Sequence, residues 1–221
     1  MLLPGLKPGF LIKADLMNID VSQRTLNHYE QSAEMFWTGT KDHDVSQNYK
    51  ALLDALEDRK ASAPYTILDM GCGPGRDLAH FKSLGHEAIG LEGSNTFAEH
   101  ARNLTGCEVL EQNFLALTLP AKSFHGIFAN ASLFHIPSQE LPRVLEDLAD
   151  ALKPEGVLFS SNPRGDNQEG WQGERYCAFH DYETWHDYMT GAGFTKIHHY
   201  YRPTGLPRDQ QPWLASVWRK S

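Results

Sequence analysis

The chain has 221 residues, 41% of them apolar and 22% charged, and a formal net charge of -8 at pH 7. That length fits one domain with a full α/β core, and the lack of any Lys/Arg block argues against a nucleic-acid backbone as the main partner. No apolar run approaches the roughly 20 residues of a membrane span. The opening Met1-Leu2-Leu3-Pro4-Gly5 lacks the basic start of a signal peptide. Cys72, Cys107 and Cys177 are widely spaced without C-x-x-C pairing, so the simplest reading is reduced thiols in a cytoplasmic protein.

Residues 1–20 carry Gly and Pro without periodicity and read as a mobile arm; residues 21–221 read as a single domain whose first part, 21–60, is a helical lid. From Val21 onward Leu26, Tyr29, Ala33 and Phe36/Trp37 recur at helical spacing. A polar loop, Thr38 to Asp44, leads to a second helix from about Ser46, with Tyr49, Leu52, Leu53 and Leu56 on one face. Strands and helices then alternate. The apolar run Tyr65 to Met70 is a buried strand. It is followed by a helix near Asp77 to Leu84, a strand Ala88 to Glu92, a helix near Thr96 to Leu104, and strands Cys107 to Leu110 and His125 to Ala129. Pro137-Ser138 opens a helix with Leu141, Val144, Leu145, Leu148 and Leu152 on one stripe, stopped by Pro154 before a strand Gly156 to Ser160.

The stretch Asn162 to His180 has neither helical nor strand periodicity and reads as a long functional loop. Asp181 caps a last helix. The segments Thr195 to Tyr201 and Trp213 to Trp218 are joined by a Pro/Gly-rich stretch too short for a crossover helix, so they pair antiparallel. The predicted fold is α/β: a doubly wound, mostly parallel seven-stranded sheet with an antiparallel C-terminal edge hairpin.

The most informative residues are Asp69-Met70-Gly71-Cys72-Gly73-Pro74-Gly75-Arg76-Asp77. Glycines after a buried strand mark a turn that needs positive φ or lets a ligand come close. A dinucleotide fingerprint, G-x-G-x-x-G, requires its third glycine at position 76, which holds Arg76. The pattern present, G-x-G-x-G with Asp69 before it, resembles the first motif of class I S-adenosylmethionine-dependent methyltransferases. That resemblance implies S-adenosylmethionine as cofactor, held by Asp69, Gly71, Gly73, Gly75 and the residues that follow.

Glu92 ends the second strand, where a carboxylate can accept two hydrogen bonds from a ribose diol; with Gly93 it is a cofactor-site candidate, the alternative being a solvated strand end. Asn113 and Phe114 stand where the family holds the adenine, with Asn113 replacing the usual Asp; a plain loop residue is the other reading. Arg76 is placed either against the methionyl carboxylate of the cofactor or on the surface. Asn130 and His135 leave the fourth strand where the family places methyl transfer. The Asn/Asp-Pro-Pro-aromatic segment of enzymes that methylate nucleic-acid bases is missing there, which favours small acceptors. His135 is a candidate general base, or else a packing or capping residue.

Tyr29, Trp37, Asp42, His43, Gln47 and Asn48 form one polar and aromatic cluster, and Asn162, Arg164, Trp171 and Arg175 a second; both are candidates for acceptor binding. Arginines and aromatic rings suit a small zwitterion. No histidine pair has metal-ligand spacing on one helix, so no metal is expected.

A closer resemblance rests on Ser32-Ala33, Phe36-Trp37, Gly39-Thr40, Asp42 through Asn48, Leu158 through Gly165, Tyr200 through Pro203 and Gln210 through Trp218. These segments are similar to the methyltransferase domain at the carboxyl end of bifunctional ovothiol-biosynthesis enzymes. The likeness implies methyl transfer to an imidazole nitrogen of 5-thiohistidine, without the sulfoxide-synthase half; another small amine or thiol acceptor, or a non-catalytic S-adenosylmethionine-binding module, is the alternative, and a monomer or homodimer is expected.

Overall fold

A computed structural model describes the backbone of residues 11–58 and 62–221, with side chains from Val21 onward in those ranges. The elements run α1 (Leu11–Thr40), α2 (Ser46–Glu57), β1 (Thr66–Met70), α3 (Arg76–Ser83), β2 (Glu87–Glu92), α4 (Asn95–Thr105), β3 (Val109–Glu111), β4 (Phe124–Asn130), α5 (Leu141–Ala151), β5 (Leu152–Pro163), β6 (Gln168–Gln172), β7 (Arg175–Phe179), α6 (Tyr182–Gly191), β8 (Phe194–Arg202) and β9 (Trp213–Lys220). Short 3-10 turns occupy Phe114–Ala116, Leu133–His135 and Arg208–Gln210.

Seven strands form one sheet in the order β3-β2-β1-β4-β5-β9-β8. The first five are parallel, whereas β9 runs antiparallel to both β5 and β8. Successive side chains alternate between faces, as the strand period of two requires. Leu68, Ile127 and Leu158 join the core under α5 and α6, while Ile67, Phe128 and Phe159 join the core that holds Leu52 of α2, Leu78 of α3 and Ala98 of α4. Every predicted apolar residue of α5 is buried. The chain leaves β1 toward β2 and β3 and later returns as β4 on the other side of β1. The crevice where ligands settle in such sheets therefore lies at the carboxyl ends of β1 and β4.

Three expectations change. Helix α1 starts at Leu11, not Val21, because no Gly or Pro stands between Phe10 and Gly39 to interrupt it. Of the arm expected over residues 1–20, residues 1–10 lie outside the described residues. The loop expected over Asn162 to His180 contains a β-hairpin, β6–β7, pairing Gln172 with Arg175 around Gly173-Glu174. Its β6 residues are mostly exposed, so no apolar alternation announces it. The two-residue turn with Gly173 at φ +64 was the available signal. Finally, α2 is no lid: Leu52, Ala55 and Leu56 are buried against the sheet.

Candidate active site

The carboxyl ends of β1, β2 and β4 meet at a cleft whose floor is the glycine turn. Gly71, Gly73, Glu92, Gly93, Asn113, Phe114, Ser132 and His135 line it, with Leu26, Tyr29 and Phe36 of α1 above. Glu92 is buried and binds two backbone donors, accepting from Gly73 N and Ser94 N at 2.9 Å each. Burial pushes its carboxyl above the ordinary range, and these backbone N–H groups pull the other way. Phe97, Phe114, Leu115 and Ile136 supply apolar walls. The Ser132 hydroxyl, in a residue 3% exposed and lining the cleft, has no partner among the described residues. A carboxylate at the end of β2, flat apolar walls and an unpaired hydroxyl fit an adenosyl group: a diol, a ring and polar edges.

Gly93 lies directly under α1. A Cβ there would lie 2.7 Å from Leu26 Cδ2, so any larger residue would push the Leu26 side chain of α1 aside. The third glycine of the turn acts differently from the expectation. Gly75, at φ +99, caps α3, and a Cβ on it would meet Ala101 Cα of α4 at 2.9 Å. It lines neither cavity and serves helix packing. Asp69 likewise does not reach the cleft. It is 1% exposed at the end of β1 beneath the turn, its Oδ2 has no partner among the described residues, and burial holds its pKa well above the usual range.

A second cavity of about 730 Å³ opens from the same glycine turn. It shares Tyr29, Phe36, Gly71, Gly73 and Ala131 with the first cleft and adds Trp37, His43, Arg76, Asp77, Asn130, Arg175 and Arg202. One wall is a hydrogen-bonded chain: Tyr200 Oη donates to Asn48 Oδ1 at 2.9 Å, Asn48 Nδ2 to Asn130 Oδ1 at 3.0 Å, and Asn130 Nδ2 to Asp77 Oδ2 at 3.2 Å. Tyr49 Oη donates to Asp77 Oδ1 at 2.5 Å. Arg76 lies along the same carboxylate at 2.6 and 3.0 Å and donates Nη1 to the Thr40 carbonyl at 2.9 Å, tying the end of α1 to α3. Arg76 is thus engaged within the protein at three atoms, neither a surface residue nor a free carboxylate anchor.

The structure brings Trp37, His43, Asn130 and Arg175 of the predicted acceptor and transfer residues to this cavity, with Asn48 one layer behind. It does not bring Asp42 or Gln47, which are exposed outside it. Asn162 lines a separate small cavity with Phe134 and His180. Arg164 binds the carbonyls of Arg208 and Gln211, and Trp171 lies under the Arg24 guanidinium at 4.1 Å. Asn113 borders the first cleft, but its Oδ1 caps the 3-10 turn by accepting from Leu115 N at 2.9 Å. Sequence reasoning missed Ser132, Asp77 and Arg202 as lining residues; Asp77 directly after Arg76 at a helix start was the one local signal.

His135 departs furthest from its expected role. Its Nδ1 lies 2.7 Å from the Tyr176 carbonyl and its Nε2 lies 2.7 Å from Tyr29 Oη. Both nitrogens are engaged, and burial pushes the pKa down to about 4. An imidazole so placed is a poor general base at neutral pH. Among the described residues no group of His, Cys, Asp and Glu could hold a metal ion, and no helix is long and apolar enough to cross a membrane.

Comparison with known proteins follows the same lines. Residues 67–156 match the family described as methyltransferase domain. Sequence relatives include a mitochondrial arginine-hydroxylase of Rattus norvegicus, 29% identical over 66% of this chain and 45% of that protein. Trans-aconitate 2-methyltransferase of Yersinia pestis is 28% identical over 67% of this chain and 58% of its own length. Among solved structures, Burkholderia thailandensis 1,6-didemethyltoxoflavin-N1-methyltransferase, with 1,6-didemethyltoxoflavin and S-adenosylhomocysteine bound, has a TM-score of 0.65 at 20% identity, covering 100% of this chain and 93% of that one. The chain thus spans only about half the length of these two sequence relatives, 45% and 58%. Residues 67–156 therefore resemble a methyltransferase domain, and the chain has the fold of class I S-adenosylmethionine-dependent methyltransferases.

Proposed function

We propose that this chain methylates a nitrogen of a small, histidine-like acceptor, and that the acceptor is the imidazole of 5-thiohistidine, as the sequence resemblance to ovothiol-biosynthesis enzymes suggests. One observation carries the reading. The large cavity beside the glycine turn is lined by cationic and aromatic groups, Arg175, Arg202 and Trp37, which suit a small zwitterion with a carboxylate and a flat ring. Fold alone does not decide the matter, since one sequence relative is named a hydroxylase.

In this reading Glu92 receives the ribose diol, and Phe114 with Asn113 borders the adenine. Bound S-adenosylmethionine supplies an electrophilic methyl group. The protein's own part is positioning, for which well-oriented reactions reach an effective molarity on the order of 10⁵–10⁸ M. Arg175 and Arg202 hold the acceptor's carboxylate, Trp37 flanks its ring, and α1 with the β6–β7 hairpin keeps water out. Holding the amino-acid end also keeps the thiol of the acceptor, a strong nucleophile, away from the methyl.

The test is incubation with S-adenosylmethionine and a panel of 5-thiohistidine, histidine, sarcosine and trans-aconitate, read by mass and NMR. N-methylated 5-thiohistidine is the expected product. Methylation on a carboxylate or on sulfur, or no methylation of any member, overturns the proposal.

A further inference from the structure

Tyr29 sits where the two cavities join, and its hydroxyl is bracketed by one residue of each. His135 lines the first cleft and Arg175 the second. The hydrogen-bond polarity at this hydroxyl follows from the fixed partner at the far end. The Tyr176 carbonyl can only accept, so His135 Nδ1, 2.7 Å away, carries the proton. A neutral imidazole then has a bare Nε2, and Tyr29 Oη at 2.7 Å must donate to it. Burial together with the charge of Arg175 keeps His135 neutral across physiological pH. The Arg175 guanidinium, charged and close enough to Tyr29 to interact with it, can only donate as well. The phenol oxygen has thus spent its one proton on His135, and it turns only lone-pair density toward the acceptor.

We propose that Tyr29, with its proton held by His135, is a specificity-determining residue that accepts an N–H from the methyl acceptor and thereby fixes which imidazole nitrogen is left unprotonated for transfer. This rests on the nitrogen-methylation reading above. An imidazole satisfies the oxygen with its N–H, which leaves the opposite ring nitrogen with its lone pair free. That nitrogen forms the new N–C bond, the electron pair of the broken C–S bond stays on sulfur, and the methylimidazolium product gives the N–H proton to water after release. Tyr29 touches the acceptor; His135 acts through Tyr29 and is a positioning residue.

The test is calorimetry with S-adenosylhomocysteine present, comparing histidine with thiazolylalanine, which keeps a ring nitrogen but has no ring N–H. The wild type is expected to prefer histidine by about 10-fold, the size of one hydrogen bond plus an unmatched acceptor. Tyr29→Phe should erase the preference. His135→Ala should weaken it, and His135→Gln, whose amide oxygen can take the tyrosine proton, should restore it. Should Tyr29→Phe fail to fold by circular dichroism, the two His135 variants decide alone. With a methylatable imidazole acceptor, the same series should turn a single N-methyl isomer into a mixture. A wild type with no preference, or binding neither ligand, overturns the proposal, as does a preference unchanged in Tyr29→Phe or indifferent to the two His135 variants. If the preference behaves as expected but no nitrogen acceptor is methylated, the functional reading falls while the hydrogen-bond assignment stands.

Discussion

Glu92 faces two ways. Its carboxylate takes backbone donors from Gly73 and Ser94, so it holds the glycine turn against the end of β2 while lining the cleft. Glu92→Ala should therefore raise the dissociation constant for S-adenosylhomocysteine on the order of 10- to 100-fold, the equivalent of about 1.5–3 kcal/mol. It should also lower the stability of the ligand-free protein, because two buried N–H groups lose their acceptor. Glu92→Gln, which keeps one acceptor oxygen, should fall between. An unchanged constant measured by calorimetry would place the ribose elsewhere. His135 gives a pH signature. Its folded pKa of about 4 lies below the ordinary value of 6.5, so between these limits the unfolded chain binds a proton that the folded chain refuses. Its contribution to stability is complete above about pH 6.5 and is lost as pH falls toward about 4, up to roughly 3 kcal/mol. His135→Gln should flatten the fall in urea-unfolding free energy across that window; an unaltered slope would show that other groups set it.

The element that covers the site is α1, and it is held by the hairpin more than by the sheet. Arg24 pairs with Glu174 at 2.7 Å and lies over Trp171, while Tyr176 N donates to Thr25 Oγ1 at 3.0 Å. Helix and hairpin therefore form one cap, joined again at Tyr29 and His135. The exposed ion pair and the cation–π contact are each worth only about 0.5–1 kcal/mol, a scale suited to a cap that opens and closes. Replacing both Arg24 and Trp171 by alanine should accelerate amide exchange in residues 21–40 and raise the Michaelis constant for the acceptor several-fold. The melting temperature should hardly move, because the core under α5 and α6 is untouched. A large loss of melting temperature with unchanged exchange in α1 would show that these contacts belong to the global fold. Helix α2 shares the predicted lid only in sequence, since its apolar stripe meets the sheet.

Across the whole molecule, β9 is the strand that closes the fold, and a single hydroxyl marks its register. Ser216 Oγ accepts from Trp185 Nε1 at 3.1 Å and Trp218 Nε1 at 2.8 Å and lies 2.9 Å from Ser160 Oγ of β5. All four residues are buried. Ser216→Ala orphans two indole N–H groups at about 1–3 kcal/mol each and should lower the urea midpoint clearly without altering the urea slope; a neutral variant would mean the indoles find new partners. None of this was visible along the chain, whereas the frame around it was. Apolar runs ended by Asp69-Met70-Gly71 and Glu92-Gly93, and the α5 stripe ended by Pro154, are local patterns that a parallel sheet with covering helices imposes wherever it forms. The antiparallel closure followed from a join too short for a crossover helix. The glycine turn and Glu92 were legible as lining one cleft because both stand at the carboxyl ends of neighbouring parallel strands. The partnerships were not. Tyr29 and His135 are 106 residues apart and Arg24 and Glu174 150 apart, and no spacing rule relates them. Asp42 and Gln47 looked as suitable as His43 and Asn48; the path of the turn before α2 separated the first of each pair, and the face of α2's first turn the second. Sequence by itself determined the mostly parallel sheet with its antiparallel closure and the glycine turn at the end of β1, because these follow from periodicity and turn chemistry. Tertiary contact alone decided which polar side chains line the large cavity, which are consumed in holding one another, and that His135 meets Tyr29, because such contacts depend on partners brought together from distant parts of the chain.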